Sequence, residues 1–207
     1  MPYLQDKSST TSRSRGRPRE FDMDKALDKA VRVFCERGYH ATSISDLTSA
    51  MELASGSVYK AFKDKRAVFL AAFDHYKAER DTQLRTAIDQ GSNGRERLRN
   101  ALIFFADSSH GAQGQLGCLV ISGAADLSTF DAEIGQRVTG SLARSEAMLN
   151  KLILQGQADG SISLELNGQD VARLMLCVLQ GMRVIGKTGR TKQDMQAVAD
   201  AALKCLN

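Results

Sequence analysis

Apolar residues recur at intervals of three and four along most of the chain, which is the spacing of helices with one buried face. The first such stripe follows Asp22, a good N-cap, and precedes Gly38, a good residue to end a helix, so a first helix is predicted between them. Alternation typical of strands is almost absent, and both prolines lie within the first 20 residues. An all-α chain is therefore predicted. The stripe of the first helix comprises Leu27, Ala30, Val31 and Phe34.

Two short helices are predicted after the first one. Ser43 and Asp46 stand three residues apart and resemble a capping box with Asp in place of Glu, which predicts a helix over about 44–51. A turn at 52–53 and a second short helix over about 55–61 follow.

Longer helical segments fill the rest of the chain. Asp64 is a good cap for the first of them, and the loop-like stretch "SSHGAQGQLG" at 108–117 separates the second from an apolar segment at 118–125. The predicted long helices cover about 65–88, 95–107, 130–158, 167–186 and 191–206. Apolar stripes on the last two comprise Val171, Leu174, Met175, Val178, Leu179 and Met182, then Met195, Val198, Ala199, Ala202 and Leu203.

The two short helices and their tight turn are typical of a helix-turn-helix, whose second helix enters the major groove of DNA. Small residues at the start of that helix let its backbone approach a duplex closely, while Val58 and Phe62 stand four apart and should face inward. The alternative is an ordinary helical hairpin with capping hydroxyls and solvated lysines. Contacts with phosphates or bases are expected from Ser55, Gly56, Ser57, Tyr59 and Lys60 in the second short helix, and from Thr42, Ser43 and Lys65 beside it.

The stretch 21–73 resembles the DNA-binding part of the tetracycline-repressor (TetR) family of bacterial transcriptional regulators. The pattern matches in order, including the segments "ERGYHATSISDL" and "SGSVYKAFKDK". The matching positions are Phe34, Gly38, Tyr39, Thr42, Ile44, Gly56, Ser57, Val58, Tyr59, Phe62 and Lys65.

This resemblance implies an α-helical homodimer that binds a double-stranded DNA operator. An N-terminal DNA-binding domain would precede a ligand-binding and dimerisation domain, whose last two helices pair across the dimer. A small-molecule inducer would change the spacing of the two recognition helices and release the operator. The family often has Gly in the turn where this chain has Glu52, and a left-handed conformation costs a non-Gly residue about 1 kcal/mol. A different turn geometry is therefore expected here.

The excess of Lys and Arg over Asp and Glu is concentrated in the N-terminal part of the chain. Residues 1–75 hold 13 Lys and Arg against 10 Asp and Glu, and the formal net charge of the whole chain is +4. Residues 1–20 are too poor in apolar side chains to form a core, so they are predicted to be a mobile arm. Its "RGRP" run resembles the core of an AT-hook, which lies in a narrow minor groove, and Arg15, Arg17 and Arg19 are expected to contact DNA there. The alternative is a tail without function.

Candidate effector residues lie in the second half of the chain. Cys118 is either a buried apolar residue or a sensor of oxidants or electrophiles, and a helix N-terminus beside it would favour its thiolate. Some TetR-like regulators with a similar Gly-Cys-Leu segment sense electrophiles through it. Pocket residues could come from a set that is equally suited to an ordinary core, namely Phe104, Phe105, Met148, Met175 and Met182. The four dispersed cysteines and three histidines predict no metal site, no disulfide framework and no cofactor.

The sequence therefore predicts an all-α regulator with an arm at 1–20, a three-helix helix-turn-helix domain at 21–75 and a helical ligand-binding and dimerisation domain at 76–207. The favoured function is a cytoplasmic repressor that a small molecule or an electrophile removes from a palindromic operator. Two alternatives remain: a dimeric ligand-binding protein that acts without DNA, and a weakly specific architectural DNA binder that uses the arm alone. No catalytic constellation can be placed, and no apolar run is long enough to span a membrane.

Overall fold

The computed structural model describes residues 22–126 and 131–206, and every regular element within these ranges is helical, as predicted. Arg15, Arg17 and Arg19 of the basic arm lie outside the described residues, as does position 130, the expected start of the third long helix. The helices are α1 (Met23–Arg37), α2 (Ile44–Met51), α3 (Ser55–Ala61), α4 (Lys65–Asp89), α5 (Gly94–Asp107), α6 (Gly111–Leu116), α7 (Leu119–Asp126), α8 (Ala132–Ala158), α9 (Gly168–Ile185) and α10 (Lys192–Lys204), with a 3-10 turn (Gly186–Thr188) after α9.

Polar caps determine where the N-terminal helices begin, and they confirm the sequence signals. The side chain of Asp22 caps α1, and Gly38 ends it with a φ of 76°. Ser43 and Asp46 form both hydrogen bonds of the expected capping box at the start of α2. The side chain of Asp64 caps α4 by accepting a hydrogen bond from the backbone N–H of Ala67.

The stretch 108–117 is not the plain loop that the sequence suggests, because it contains the short helix α6. Its glycines resemble a loop in the sequence, but one of them, Gly114, serves close packing. A Cβ atom on Gly114 would lie 2.6 Å from the carbonyl carbon of Ser109 and 3.2 Å from the carbonyl oxygen of Gly186. A small residue at 114 therefore lets α6 pack directly on the end of α9.

The first of two apolar cores holds α1 to α4 together. Phe34 of α1 and Phe69 of α4 are fully buried, and their rings meet edge to face with centroids 5.1 Å apart. Residues of α7 and α8 also enter this core: Leu119, Val120, Ile134 and Val138. The helix-turn-helix region is thus packed against the larger region rather than only tethered to it by α4.

The second core is formed by α5, α8, α9 and α10 together with the C-terminal part of α4. Helices α5 and α8 approach so closely that a Cβ atom on Gly94 would lie 2.1 Å from the backbone nitrogen of Gly156. Over the described ranges, no helix combines the length and apolar character needed to cross a bilayer.

The apolar residues of α9 and α10 lie on two sides of these helices. Some face the core of their own chain and others face solvent. Met175, Leu179 and Met182 are buried in the core of their own chain, so they are not free to form a dimer interface. Other positions on these helices are exposed, namely Leu174, Cys177, Val184 and Ile185 on α9 and Ala197, Val198 and Ala201 on α10. Periodicity identifies apolar faces but does not distinguish an internal face from an external one.

Candidate nucleic-acid interface and internal cavity

Helix α3 is held by its inner side and presents its outer side to solvent. Val58 is fully buried and Phe62, just after the helix, is 8% exposed, which confirms that both face inward. Tyr59 is 56% exposed and Lys60 is also exposed. A Cβ atom on Gly56 would meet no atom of the described part of the chain within 4 Å, so a second molecule could approach the backbone there. Ser55 is exposed and Ser57 half-buried on the same short helix.

The turn before α3 adopts the left-handed conformation despite its glutamate. Glu52 has φ 57° and ψ 37°, so the expectation of a different geometry is wrong. Its backbone N–H donates to carbonyls of α2, and its carboxylate lies 2.8 Å from the Nζ atom of Lys29. The hydrogen bond from Lys29 lowers the pKa of Glu52. These contacts accompany the less favoured conformation at the turn.

Thr42 and Lys65 are turned towards the protein, which corrects their expected role as phosphate contacts. The side chain of Thr42 is buried, and its hydroxyl donates to the carbonyl of Gly38 at 2.6 Å. The Nζ atom of Lys65 donates to the carbonyls of Tyr39 and Thr42, both at 2.9 Å, and lies 4.3 Å from the centre of the Tyr39 ring. Both side chains therefore fix the loop between α1 and α2 against α4.

Ser43 is exposed, but its hydroxyl belongs to the capping box with Asp46. Lys63, between α3 and α4, is exposed and was not singled out from the sequence. Its signal was a second lysine in "YKAFKDK", three residues after Lys60. The outward-facing set on this side therefore comprises Ser55, Gly56, Tyr59, Lys60 and Lys63.

Ion pairs connect the start of α4 to the start of α8. The guanidinium of Arg66 donates to both Asp131 and Glu133, with 2.7 Å between its Nη2 atom and Glu133. The hydrogen bond from Arg66 is the main reason that the pKa of Asp131 is lowered to about 2. Farther along, Arg137 of α8 pairs with Asp74 of α4 at 3.1 Å. These ion pairs join α8 to α4, the helix that follows α3.

A small internal cavity of about 40 Å³ lies between α4, α5, α7, α8 and α9. Three of the predicted effector residues, Phe104, Phe105 and Cys118, line it. A larger, open groove of about 540 Å³ shares a wall with it and is lined in part by Met148. Met175 and Met182 line neither of these spaces, because both are buried in the second core, so the structure does not support them as ligand contacts.

Cys118 occupies the position before α7, and its carbonyl accepts the first helical hydrogen bond from Ser122 at 3.0 Å. Burial opposes ionisation of this thiol. The nearby guanidinium of Arg183, the hydroxyl of Tyr76 at 3.5 Å and backbone N–H groups of α7 outweigh that effect, and the pKa of Cys118 is lowered. For Cys35 the effect of burial outweighs the influence of Arg183, and the pKa of its thiol is raised to about 12. The expected helix N-terminus beside Cys118 is present, whereas Tyr76 and Arg183 converge on it only in the tertiary structure.

Asp28, His75 and Glu79 bring potential metal-ligating atoms within 4.8 Å of one another at the surface between α1 and α4. The sequence predicts no metal site, because its histidines and cysteines are dispersed along the chain. In the structure His75 and Asp28 share a hydrogen bond of 2.8 Å. We assign this contact the role of joining α1 to α4.

Two family models match most of the chain. Residues 26–72 match the model described as bacterial regulatory proteins, tetR family, and residues 94–202 match the model described as tetracyclin repressor-like, C-terminal domain. The first range covers most of α1, all of α2 and α3 and the start of α4, and the second runs from α5 into α10. The remainder of α4 lies between the two ranges.

The chain is also similar to repressors over most of its length. The chain is 28% identical over 203 residues to the HTH-type transcriptional repressor ComR of Escherichia coli, covering 96% of this chain and 95% of ComR. It is 24% identical to the HTH-type transcriptional repressor DhaR of a Mycobacterium species, covering 87% and 89% of the two chains. Among solved structures, a cysteine mutant of the TetR family regulator CifR in complex with a 26-base-pair operator superimposes with a TM-score of 0.83 at 28% identity, covering 92% of this chain and all of that one.

Proposed function

Since the chain belongs to the TetR family of bacterial regulatory proteins, we propose that it is a cytoplasmic repressor that binds a palindromic operator as a homodimer. The observation that carries this proposal is the outward face of α3, where an open glycine, an exposed tyrosine and an exposed lysine stand on a helix fixed by Val58. Such a face suits insertion into the major groove.

The contacts with DNA are proposed to come from three places. Ser55, Gly56, Ser57, Tyr59 and Lys60 would read or approach the major groove, and the exposed Ser43 would stand beside the backbone. Lys63 would add a phosphate contact next to α3. Arg15, Arg17 and Arg19 of the arm would enter the neighbouring minor groove, where arginine suits the negative potential. Thr42 and Lys65 are left out of this interface, because their polar groups already bind the protein backbone.

The homodimer is proposed to form through α9 and α10, as the resemblance implies, but with the exposed residues rather than the buried stripe. Leu174 is 47% exposed, Val184 51% and Ile185 45%, and Val198 on α10 is 39% exposed. Apolar side chains exposed together on two neighbouring helices suit an interface with a second copy.

Effector response is proposed to begin at the internal cavity. An electrophile that alkylates Cys118, or a small molecule that fills the cavity, would displace α7 and α8. The ion pairs between α8 and α4 would then carry the change towards α3. We propose that the boundary between the DNA-binding domain and the ligand-binding domain lies at about residue 75, within α4, since this helix contributes to both cores.

A gel-shift experiment with the DNA upstream of the protein's own gene tests the proposal. The expected result is a complex that resists unrelated competitor DNA and is lost when Tyr59 and Lys60 are both changed to Ala. A protein that forms no specific complex there or on neighbouring promoters would support the DNA-independent alternative. A complex that survives the double change but not removal of residues 1–20 would support the architectural alternative.

A further inference from the structure

Arg183 of α9 is buried without a carboxylate partner. The residue is 3% exposed, and its two terminal nitrogens donate to the carbonyls of Ser108 and Gly117. Its remaining donor, Nε, has no hydrogen-bond partner among residues 22–126 and 131–206. A buried guanidinium that meets only neutral carbonyls retains a full positive charge, which is costly unless an anion compensates it.

Arg80 of α4 brings a second guanidinium to the same cavity. It lies 4.2 Å from the centre of the Phe104 ring, and its Nη2 atom donates to the hydroxyl of Ser108 at 2.7 Å. Desolvation lowers its pKa, and within the described residues neither Arg80 nor Arg183 forms a salt bridge. The carboxylate of Asp81 also lines the cavity, but it is paired with Lys77 at 2.8 Å.

The charges around the cavity therefore do not balance within the protein. A Cys118 thiolate would compensate one guanidinium, and the other would remain without a counter-ion. An anion bound in the cavity would correct this imbalance and could accept a hydrogen bond from the unused Nε of Arg183.

The space limits what such an anion can be. A volume of about 40 Å³ exceeds what a single water needs, yet it accommodates only a small head group. The shared wall with the groove of about 540 Å³ gives the rest of a ligand a place outside. Basic side chains outnumber acidic ones around that groove, with Arg85, Arg97, Arg144 and Lys151 beside Asp81 and Asp89, and this excess also favours an acid.

We propose that the effector is an organic acid whose carboxylate binds between Arg80 and Arg183, beside Cys118. The inference rests on the proposed ligand response and specifies its chemistry. An electrophile that carries a carboxylate would be held with its reactive carbon near the Cys118 sulfur.

The first test uses butyrate and its neutral analogue butyramide on the full-length protein without DNA. At constant ionic strength, butyrate should raise the thermal unfolding midpoint in a saturable manner, and butyramide should not. Arg80→Gln should abolish the effect, Arg80→Lys should retain part of it, and Arg32→Gln on the exposed side of α1, away from both spaces, should leave it unchanged. Equal effects of the two compounds, no effect of either, or an undiminished effect in Arg80→Gln would overturn the inference.

The second test locates the anion preference at Cys118 by comparing iodoacetate with iodoacetamide. In both reactions the thiolate sulfur attacks the CH₂ carbon, a carbon–sulfur bond forms, the carbon–iodine bond breaks and iodide leaves. Peptide mass spectrometry should give an iodoacetate-to-iodoacetamide rate ratio about tenfold higher in the folded protein than for the same thiol in the urea-unfolded chain. An equal or lower ratio, or no reaction with either reagent, would contradict the inference.

These tests separate the inference from the proposed function. A protein that binds operator DNA but does not prefer the acid refutes the inference alone. A protein that prefers the acid at Arg80 but binds no operator refutes the proposed repressor alone.

Discussion

Single residues decide whether the two candidate sites work, and each depends on its immediate surroundings. Gly56 has open space around it, whereas Gly94 and Gly114 have backbone atoms within 3 Å of a Cβ position. Among the cysteines, Cys118 has a lowered pKa and Cys35 a raised one, although both are buried. Residue type alone therefore does not assign a role, because the neighbours that determine it come from distant parts of the chain.

Gly56→Ala separates DNA binding from folding. Alanine favours a helix more than glycine does, by up to about 1 kcal/mol, and there is room for its methyl group, so the unfolding midpoint should rise slightly. The same methyl group would stand between α3 and the duplex, and operator affinity should fall about tenfold, or about 1.4 kcal/mol. Urea denaturation and fluorescence anisotropy measure the two effects. Gly140→Ala in α8 is the matched control, with stability retained and affinity unchanged.

Tyr76→Phe tests the origin of the Cys118 thiolate. A lowered pKa means that the thiolate persists to lower pH, so the rate of alkylation by iodoacetamide should reach half its maximum at a lower pH than in the unfolded chain. Removal of the Tyr76 hydroxyl takes away a donor to the sulfur, and this midpoint should move upwards. A midpoint that stays unchanged in Tyr76→Phe would show that the hydroxyl does not stabilise the thiolate.

At the scale of elements, caps and apolar spacing predict where helices lie but not what they pack against. The start of α2 agrees with the capping box of Ser43 and Asp46, because caps act within a few residues. Helix α3 also begins at the predicted residue, Ser55, but without a side-chain cap. The sequence does not predict α6, because its glycines are typical of a loop. The packing of Gly114 on the end of α9 is a tertiary contact that the sequence does not show. The same holds for the convergence of Tyr76 and Arg183 on Cys118.

The connection between α4 and α8 gives a prediction at this scale. Asp131→Asn keeps a good N-cap for α8 but removes the ion pair with Arg66. Because the folded pKa of Asp131 is lowered to about 2, its stabilising effect is present above the unfolded pKa of about 3.9 and is lost as the pH falls towards 2. The Asn variant should therefore lose less stability over this pH range than the wild type, as measured by urea denaturation at each pH.

The same variant bears on signal transmission. If the ion pair carries the effector response, Asp131→Asn should bind the operator normally but release it less completely after Cys118 is alkylated. Full release in this variant would assign transmission to other contacts between α8 and α4, such as Arg137 with Asp74.

At the scale of the whole molecule, the proposed homodimer makes one chain only half of an operator-binding unit. A palindrome has two half-sites, so specific binding requires two copies of α3 at a fixed spacing. The apolar stripes indicated from sequence that α9 and α10 are amphipathic, but Met175 and Leu179 proved to be internal, and the exposed face begins with Leu174. One chain's periodicity cannot show this difference, because both faces are apolar.

Leu174→Glu should therefore convert the dimer to a monomer. A charge placed in an apolar interface opposes association, and loss of the second half-site should weaken operator binding by about 100-fold or more. Sedimentation velocity and fluorescence anisotropy measure the two effects. Leu164→Glu, at an exposed leucine in the loop between α8 and α9, is the control and should leave both unchanged. A dimeric Leu174→Glu protein would exclude this face as the interface.

The central claim is that α3 recognises a specific operator sequence. The most direct test is the specificity ratio, which is the affinity for the operator divided by the affinity for unrelated DNA. Affinity for the DNA upstream of the protein's own gene is measured against a scrambled duplex of equal length over a salt series, for the wild type and for the Tyr59→Ala, Lys60→Ala double variant. The account predicts a wild-type ratio of about 1,000 or more, falling towards one in the double variant, while both proteins lose affinity as salt rises. A wild-type ratio near one, or a high ratio retained by the double variant, would contradict it.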